Sequence, residues 1–374
     1  MANADVALAH DYLLTPRGAE RTFATMAECW PTAPIHTLLY DPPAIGDLFG
    51  ERRIQVSQLQ RLNASQGDFR RLLPLLPLAA ERLVPGTPRL VVSSSSAFAH
   101  GVRLPDSSVH VCYCHSPFRY AWHERARALE EAKSWQRRPL ALTLDWIKRW
   151  DLRAAARVSH YIANSRITQR RIAEFYGREA AIVHPPVAVH RFCRRQPEDY
   201  FVFVGEVTRH KRVELAIEAA RRAEVPLTVV GSGPDLERLR ALHGERIRFT
   251  GRVSDAELVE LVARARAQIV PNVEEFGIAA VEAQAAGRPV VAAGAGGALE
   301  TVLDGETGIL VEPDSIAALA TALGDGEFDR FDPDRIRANA ERFSVPSFQR
   351  KLGAEVARLS GYTITAPPTG TISE

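Results

Sequence analysis

Pro271–Ala293 reads PNVEEFGIAAVEAQAAGRPVVAA. An apolar run, Ala267–Val270, leads into it and a second, Pro289–Ala293, closes it. Between them Ile278, Val281, Ala285 and Ala286 recur at helical spacing. Strand, helix, strand is half of a doubly wound sheet, and such sheets bind ligands outside the carboxyl ends of their strands. The loop at that end carries Glu274, Glu275, Phe276 and Gly277, and Glu282 follows two helical turns on. Gly277 lets backbone come close to a ligand, and the helix start behind it offers N–H groups and positive dipole to an anion. Glu274 and Glu282 can each hold a pair of hydroxyls. The two carboxylates alone fit an ordinary solvated connection as well, because Glu is favoured near helix starts.

The longer string is more specific. Glu274, Phe276, Gly277, Ile278, Glu282, Ala283, Ala285, Gly287, Pro289, Val290, Val291 and Ala292 match E-x-F-G-[IL]-x-x-x-E-A-x-A-x-G-x-P-V-[VI]-A in register. Gly297, Glu300, Gly305, Thr307 and Gly308 match its G-x-x-E-x-[VI]-x-x-G-x-T-G continuation. On these residues the chain resembles the family 4 retaining glycosyltransferases, from His10 to about Phe348. It is most similar to the mannosyltransferase-like branch reading E-D-F-G-I, where this chain has Glu275-Phe276-Gly277-Ile278. The resemblance implies an α/β fold of the GT-B class, two Rossmann-like domains facing across a cleft.

Length and composition agree with two domains. The 374 residues exceed what one small core organises, and 46% hydrophobic with 25% charged residues is a globular balance. No early segment has the pattern of a signal peptide, and no apolar run reaches the ~18 residues a membrane span needs. Cys29, Cys112, Cys114 and Cys193 have neither zinc nor disulfide-framework spacing; Cys112 and Cys114 flank Tyr113 in a strand and read as small buried hydrophobes. A cytoplasmic protein is expected. The net charge of +2 conceals a split: residues 1–197 hold 27 Lys/Arg against 17 Asp/Glu, the rest 20 against 28. A basic half suggests an anionic partner. Nucleic acid is excluded because no helix carries a basic stripe with stacking aromatics; a phosphate-bearing acceptor or an acidic membrane surface fits better.

The expected first domain spans residues 1–187. Its first strand, Val6–Ala9, runs into His10-Asp11-Tyr12, then a Pro16–Glu20 loop with Gly18, then a helix to about Cys29. By spacing Gly18 reads as a tight turn; by resemblance this loop approaches the donor diphosphate. Strands follow at Ile35–Tyr40, near Ile54–Val56, and at Arg89–Ser93, ending in four serines. Segment 61–84 sets Arg61, Arg70, Arg71 and Arg82 beside five leucines, broken by Pro74 and Pro77. Packing on its own domain and contact with the inner face of a membrane are its two readings. Val109–His115 ends in His115-Ser116-Pro117-Phe118-Arg119-Tyr120-Ala121-Trp122. A histidine at a strand end can donate to a sugar hydroxyl or can be structural. The match to the family's H-[ST]-P-x-R-Y-x-W makes His115 the catalytic candidate here. A helical pattern over Leu140–Ala156, a strand Val158–Ala163 and a capping pair Asn164-Ser165 complete this half.

The expected second domain spans residues 198–344. Strand Tyr200–Val204 leads to Gly205, and Lys211 stands six residues on at a helix start, a diphosphate-binding arrangement of backbone and point charge. By resemblance an arginine follows that glycine; here it is Glu206, and Arg209 or Arg212 is the candidate replacement. Gly231-Ser232-Gly233 lacks the third glycine of a dinucleotide fingerprint. Strand Arg248–Thr250 precedes Arg252, Val253 and a Ser254-capped helix with Glu257 in capping-box position; by resemblance, backbone beside Arg252 and Val253 reads the nucleobase. A helix over 345–360 crosses back to the first domain, and 361–374 is a loose tail.

The resemblance assigns roles. Glu282 holds ribose hydroxyls, Lys211 and Gly205 the diphosphate, backbone near Phe276, Gly277 and Ile278 the phosphate and sugar, and Glu274 the sugar hydroxyls. His115 faces the sugar. The implied activity is retaining, metal-independent transfer of a hexose, mannose from GDP-mannose first, to a lipid-linked or growing surface glycan, with the nucleotide sugar as co-substrate and no cofactor. A UDP-sugar donor, a GT-B epimerase or sugar-phosphate synthase, and a silent nucleotide-sugar-binding partner are the alternatives; only Glu206 favours the last.

Overall fold

The computed structural model describes residues 5–62, 69–243 and 247–362. The chain divides into two compact units, Met1–His184 with Gln349–Glu374, and Pro185–Phe348. The helix Val345–Ser360 begins in the second unit and continues in the first. Residues 363–374 of the expected tail lie outside the described residues.

The first unit is built on strands β1 (Val6–Leu13), β2 (Ile35–Tyr40), β3 (Ile54–Val56), β4 (Leu90–Ser95), β5 (Val109–Cys114), β6 (His160–Ala163) and β7 (Ala180–Ile182). They form one parallel sheet in the order β3-β2-β1-β4-β5-β6-β7. Central strands of such a sheet are covered on both faces and read as continuous apolar runs. Ala7, Leu8, Ala9, Val91, Val92, Val111 and Cys112 are all buried accordingly. The strand order reverses between β1 and β4, the topological switch point.

Polar residues gather at that point and lengthen the strands. β1 runs on through His10 and Asp11, both buried, to Leu13, and β4 runs through Ser95 rather than stopping at Ser93. Both extensions are possible because the side chains satisfy one another, as described below. The Pro16–Glu20 segment is not all loop: the helix Gly18–Glu28 starts inside it, with the Glu20 carboxylate accepting from the Arg17 N–H at 3.1 Å. The Leu140–Ala156 pattern is the inner part of a helix from Ser134 to Arg157. In segment 61–84, residues 63–68 lie outside the described residues. Leu76, Leu83 and Val84 are buried in the unit's core, and Leu72 and Leu73 pack against it. Leu75 and Leu78 point outward. Among the described residues, packing on its own unit therefore accounts for Leu72, Leu73, Leu76, Leu83 and Val84.

The second unit carries β8 (Phe201–Val204), β9 (Leu227–Val230), β10 (Ile247–Gly251), β11 (Ala267–Val270), β12 (Val290–Ala293) and β13 (Gly308–Val311). This sheet too is parallel, ordered β10-β9-β8-β11-β12-β13, with its switch point between β8 and β11. The helix Ile278–Ala285 joins β11 to β12 as the sequence indicates. Among the described residues no helix is long and apolar enough to cross a membrane.

Candidate active site

At the second unit's switch point, the loop after β8 meets the loop after β11. Lys211 Nζ lies 2.7 Å from Glu274 Oε1, each side chain about a quarter exposed (25% and 24%). Asn272 Nδ2 donates to the same oxygen at 3.3 Å. Lys211 is not in the helix proper. It ends a 3₁₀ turn, Arg209–Lys211, and the helix Val213–Arg222 follows after Arg212, which sits in the left-handed region at φ 54°.

Glycines let these loops close up. A Cβ on Gly231 would fall 1.9 Å from the Gly205 carbonyl oxygen, so the ends of β8 and β9 can touch only without one. Gly231-Ser232-Gly233 is thus a packing device rather than a dinucleotide cradle. The loop after β12 lies directly on the loop after β11: Gly297 N donates to Glu274 O at 2.8 Å, and a Cβ on Gly297 would reach within 2.3 Å of Phe276 Cα. Gly277 adopts φ 89° and turns the chain into the helix Ile278–Ala285. Phe276 is buried edge-on against Phe343, ring centroids 5.3 Å apart, which fixes the helix start from beneath. Glu282 stands half-buried two turns along.

At the first unit's switch point the side chains form one continuous network. Asp11 accepts from the backbone N–H groups of Ser96 (2.5 Å), Phe98 (2.8 Å) and Ala99 (2.6 Å), fastening the turn after β4. Ser94 Oγ lies 3.0 Å from His10 Nδ1 and 2.8 Å from His115 Nε2. His10 Nδ1 also lies 3.1 Å from the Ser94 carbonyl oxygen, which can only accept. His10 Nδ1 therefore carries the proton. Ser94 Oγ, accepting from it, has its single hydrogen to give to His115 Nε2, the assignment that satisfies every group in the network and that puts the His115 proton on Nδ1. Burial, aided by the neighbouring His10, pulls the His115 pKa down to about 3, so the ring is neutral at ordinary pH. Its backbone is clamped as well: His115 N donates to Ser95 O at 2.8 Å, and Thr168 Oγ1 donates to His115 O at 3.0 Å. The result is an imidazole held in one tautomer with Nδ1–H left to donate.

The other end of the His115–Trp122 string is structural. Trp122 Nε1 and Tyr176 OH both donate to Asp151 Oδ2, at 2.7 and 2.8 Å. Asp151 is fully buried, and His100 Nε2 lies 3.1 Å from its other oxygen.

Of the remaining candidates, Arg209 is exposed beside Lys211, whereas Arg212 is engaged by Asp314 at 2.7 Å. Of the two arginines offered in place of the one absent at Glu206, Arg212 is thus the one held in an exposed ion pair. Arg252 is exposed and Val253 half-buried just after β10. Gly18 opens the helix Gly18–Glu28 in the first unit. Sequence reading missed Asn272, Ser94 and His10. Asn272 touches Glu274 and Ser94 touches His115, while His10 reaches His115 only through Ser94; nothing in one dimension shows that Ser94 lies between two histidines from other segments.

Two parallel sheets in one chain, with a carboxylate–lysine pair at the switch point of the second, define a GT-B α/β protein. Solved structures agree: Anabaena HepE, crystallised with UDP, matches with a TM-score of 0.69 over 94% of this chain and 99% of that one, at 18% identity. The Glycosyltransferase Family 4 model matches residues 16–191, and the Glycosyl transferases group 1 model matches residues 192–343. The chain belongs to the family 4 glycosyltransferases. Among named relatives, it is 33% identical over 229 residues to a GDP-mannose-dependent α-(1-6)-phosphatidylinositol monomannoside mannosyltransferase of Mycolicibacterium smegmatis, a match covering 52% of this chain and 60% of that enzyme. It is 45% identical over 105 residues to a phosphatidyl-myo-inositol mannosyltransferase of Mycobacterium leprae, covering 27% and 28%. Both matches span less than two thirds of the relative's own length.

Proposed function

We propose that the protein is a retaining, metal-independent hexosyltransferase that moves mannose from GDP-mannose onto a lipid-linked or growing surface glycan. The observation that carries this reading is the Lys211–Glu274 pair at the carboxyl end of β11, beside the Gly277 turn and the start of the helix that carries Glu282. An ammonium group has three N–H bonds. With one given to Glu274, two are left for a diphosphate. The N–H groups about Phe276, Gly277 and Ile278 add donors at a helix start, Glu282 takes the ribose hydroxyls, and Glu274 takes sugar hydroxyls through its remaining lone pairs. Gly205, Arg209, Arg252 and Val253 line the nucleotide's path. The first unit's catalytic contribution is the Nδ1–H of His115, donated to a sugar hydroxyl.

In the reaction the bond from C1 to the diphosphate oxygen breaks and the acceptor oxygen bonds C1 on the same face. The acceptor's proton passes to the departing phosphate. The carboxylates orient the donor; they do not form the nucleophile–acid pair of glycoside hydrolysis. Acceleration comes from stabilising the leaving diphosphate. The named mannosyltransferase relatives support the sugar, and the excess of arginine in residues 1–197 supports an anionic, membrane-borne acceptor. A UDP-sugar donor is the second reading, favoured by the likeness to a structure solved with UDP.

The test is incubation with a panel of GDP- and UDP-sugars, following slow donor hydrolysis with and without a chelator and assigning the product anomer by NMR. Turnover of GDP-mannose with retention is expected. Turnover of UDP-sugars alone selects the second reading. Saturable binding without turnover of any donor would reveal a silent nucleotide-sugar binder, and an inverted anomer or a strict requirement for a divalent ion would overturn the mechanism.

A further inference from the structure

At the opposite end of the second sheet, where β11 and β12 begin, the chain places Arg266 and Arg288 just before the first strand residues. A cavity of about 230 Å³ opens there, lined by Arg194, Arg195, Arg266, Arg288, Phe328 and Phe331 among others. Three features mark it as more than a surface dent.

Arg288 is only 5% exposed, yet among the described residues no carboxylate pairs with it. One nitrogen, Nη2, donates to the Arg195 carbonyl oxygen at 2.8 Å; Nε is buried with no acceptor. Burial and the nearby Arg194 both work against its charge. A buried, unpaired cation costs a fold several kcal/mol, and an unmet N–H adds to that. The neighbouring arginines are placed differently. Arg195 is bound to Glu260 at 2.7 Å, and Arg266 lies 3.5 Å from Asp199 and over the Phe328 ring. Arg194, like Arg288, has no carboxylate partner among the described residues. Two of the four guanidinium groups around one cavity are therefore uncompensated, and one of these is buried with a donor to spare. The phenylalanine rings supply an apolar wall for the body of an organic anion.

We propose that this cavity binds a small phosphate-bearing anion, held by the Arg288 fork and by Arg194. A guanidinium matches two phosphate oxygens at once and supplies charge-assisted hydrogen bonds. The source is either inorganic phosphate or a phosphomonoester of about hexose size, and both present the same group. The site lies across the sheet from Lys211 and Glu274 and does not depend on which donor those residues hold.

Thermal unfolding and calorimetric titration of the full chain test it, using inorganic phosphate, a hexose phosphate, and chloride at equal ionic strength. Phosphate should raise Tm by about 5 °C at saturating concentration, chloride should not, and tighter binding of the hexose phosphate would identify the monoester as the source. Arg288→Met should abolish the shift. Because that variant could fail to fold, Arg194→Ser, at an exposed position, provides the second arm and should weaken phosphate binding about tenfold. Lys211→Ala should leave the phosphate shift intact, which separates this site from the donor site. Equal shifts from phosphate and chloride, or undiminished phosphate binding in Arg194→Ser and in folded Arg288→Met, would overturn the proposal.

Discussion

Replacing Lys211 by alanine removes one charge from the point where the two loops of the second sheet meet. At 2.7 Å from Glu274 Oε1 the gross attraction is about 6 kcal/mol for an effective dielectric of about 20. Both side chains are about a quarter exposed, so desolvation and screening cancel most of this. The net contribution of the pair to stability should be about 1 kcal/mol, a Tm change of about 2–4 °C in a domain of this size. The effect on turnover should be far larger. Lys211 would meet charge that develops on the leaving diphosphate, and loss of one such preorganised donor costs about 2.7–4 kcal/mol, or 10²–10³ in kcat/KM. Glu274 and Asn272 hold the ammonium in place, so the two charged residues should not act independently. Glu274→Ala releases Lys211 from its position and also loses the sugar contact, so the double variant should be worse than Lys211→Ala but by clearly less than the sum of the two single losses, a coupling of about 1.5–3 kcal/mol. The assay is initial-rate donor consumption by the wild type, both single variants and the double variant, with circular dichroism confirming the fold. A folded Lys211→Ala protein that keeps kcat/KM within about threefold, or losses that add with less than about 0.5 kcal/mol of coupling, would refute the assignment.

Ser94→Ala should lower kcat/KM about tenfold, about 1.4 kcal/mol, while Ser94→Thr restores most of it. In ¹⁵N-histidine spectra of the unliganded protein the alanine variant should lose the Nδ1–H signature of His115, and an unchanged tautomer would show that Ser94 does not set it. Gly297→Ala drives a Cβ to 2.3 Å from Phe276 Cα and should cost about 3 kcal/mol or more, read as a lower Tm and lost donor binding. His10, His110 and His115 are held at about pKa 3 and His36 at about 4, against a reference of 6.5. Neutral in the fold, they contribute stability that is complete above about pH 6.5 and lost as the pH falls toward 3–4; Tm should drop through that window. Glu20 has the opposite sign. Burial chiefly raises its carboxyl to about 7 from 4.5, so its contribution is full below about pH 4.5 and lost as the pH rises through 7. Glu20→Gln should flatten the decline in Tm between pH 5 and 8.

What was legible in one dimension was whatever repeats locally. The Ala267–Ala293 strand–helix–strand pattern sits where its periodicity puts it, and Ser165 and Ser254 cap their helices through Thr168 and Glu257. Polar residues defeated the reading of strand ends. Ser94 and Ser95 look like the close of a strand because serine prefers turns, yet their partners are His10, His115 and Asp11 on neighbouring strands. Those pairings depend on register between segments 84 residues apart for His10 and Asp11 and 21 apart for His115, which no local pattern encodes. The Lys211–Glu274 contact failed to show for the same reason. Both residues were selected, but as separate ligands of a donor, because their spacing along the chain says nothing of the switch point that joins them. Arg288 falls on the variable position between Gly287 and Pro289, and no local pattern marks it as buried.

The two switch points solve different electrostatic problems, and the difference bears on how work is divided between the units. In the second unit a cation is paired with a carboxylate yet left with free N–H bonds, at a helix start that adds partial positive charge. Such a site is close to neutral when empty and gains its attraction for an anion from directed donors rather than from excess charge. Directed donors of this kind suit the diphosphate proposed for it. In the first unit the two imidazoles are neutral: the buried His10 and the half-buried His115 share one serine hydroxyl, and the buried Asp11 accepts from three backbone N–H groups. Nothing there attracts an anion at a distance. What it offers is one N–H of fixed direction, suited to recognising a hydroxyl. The proposed division of work, anion capture by the second sheet and hydroxyl recognition by the first, matches these charge states, and exchanging the two would need a charged His115, which its burial opposes.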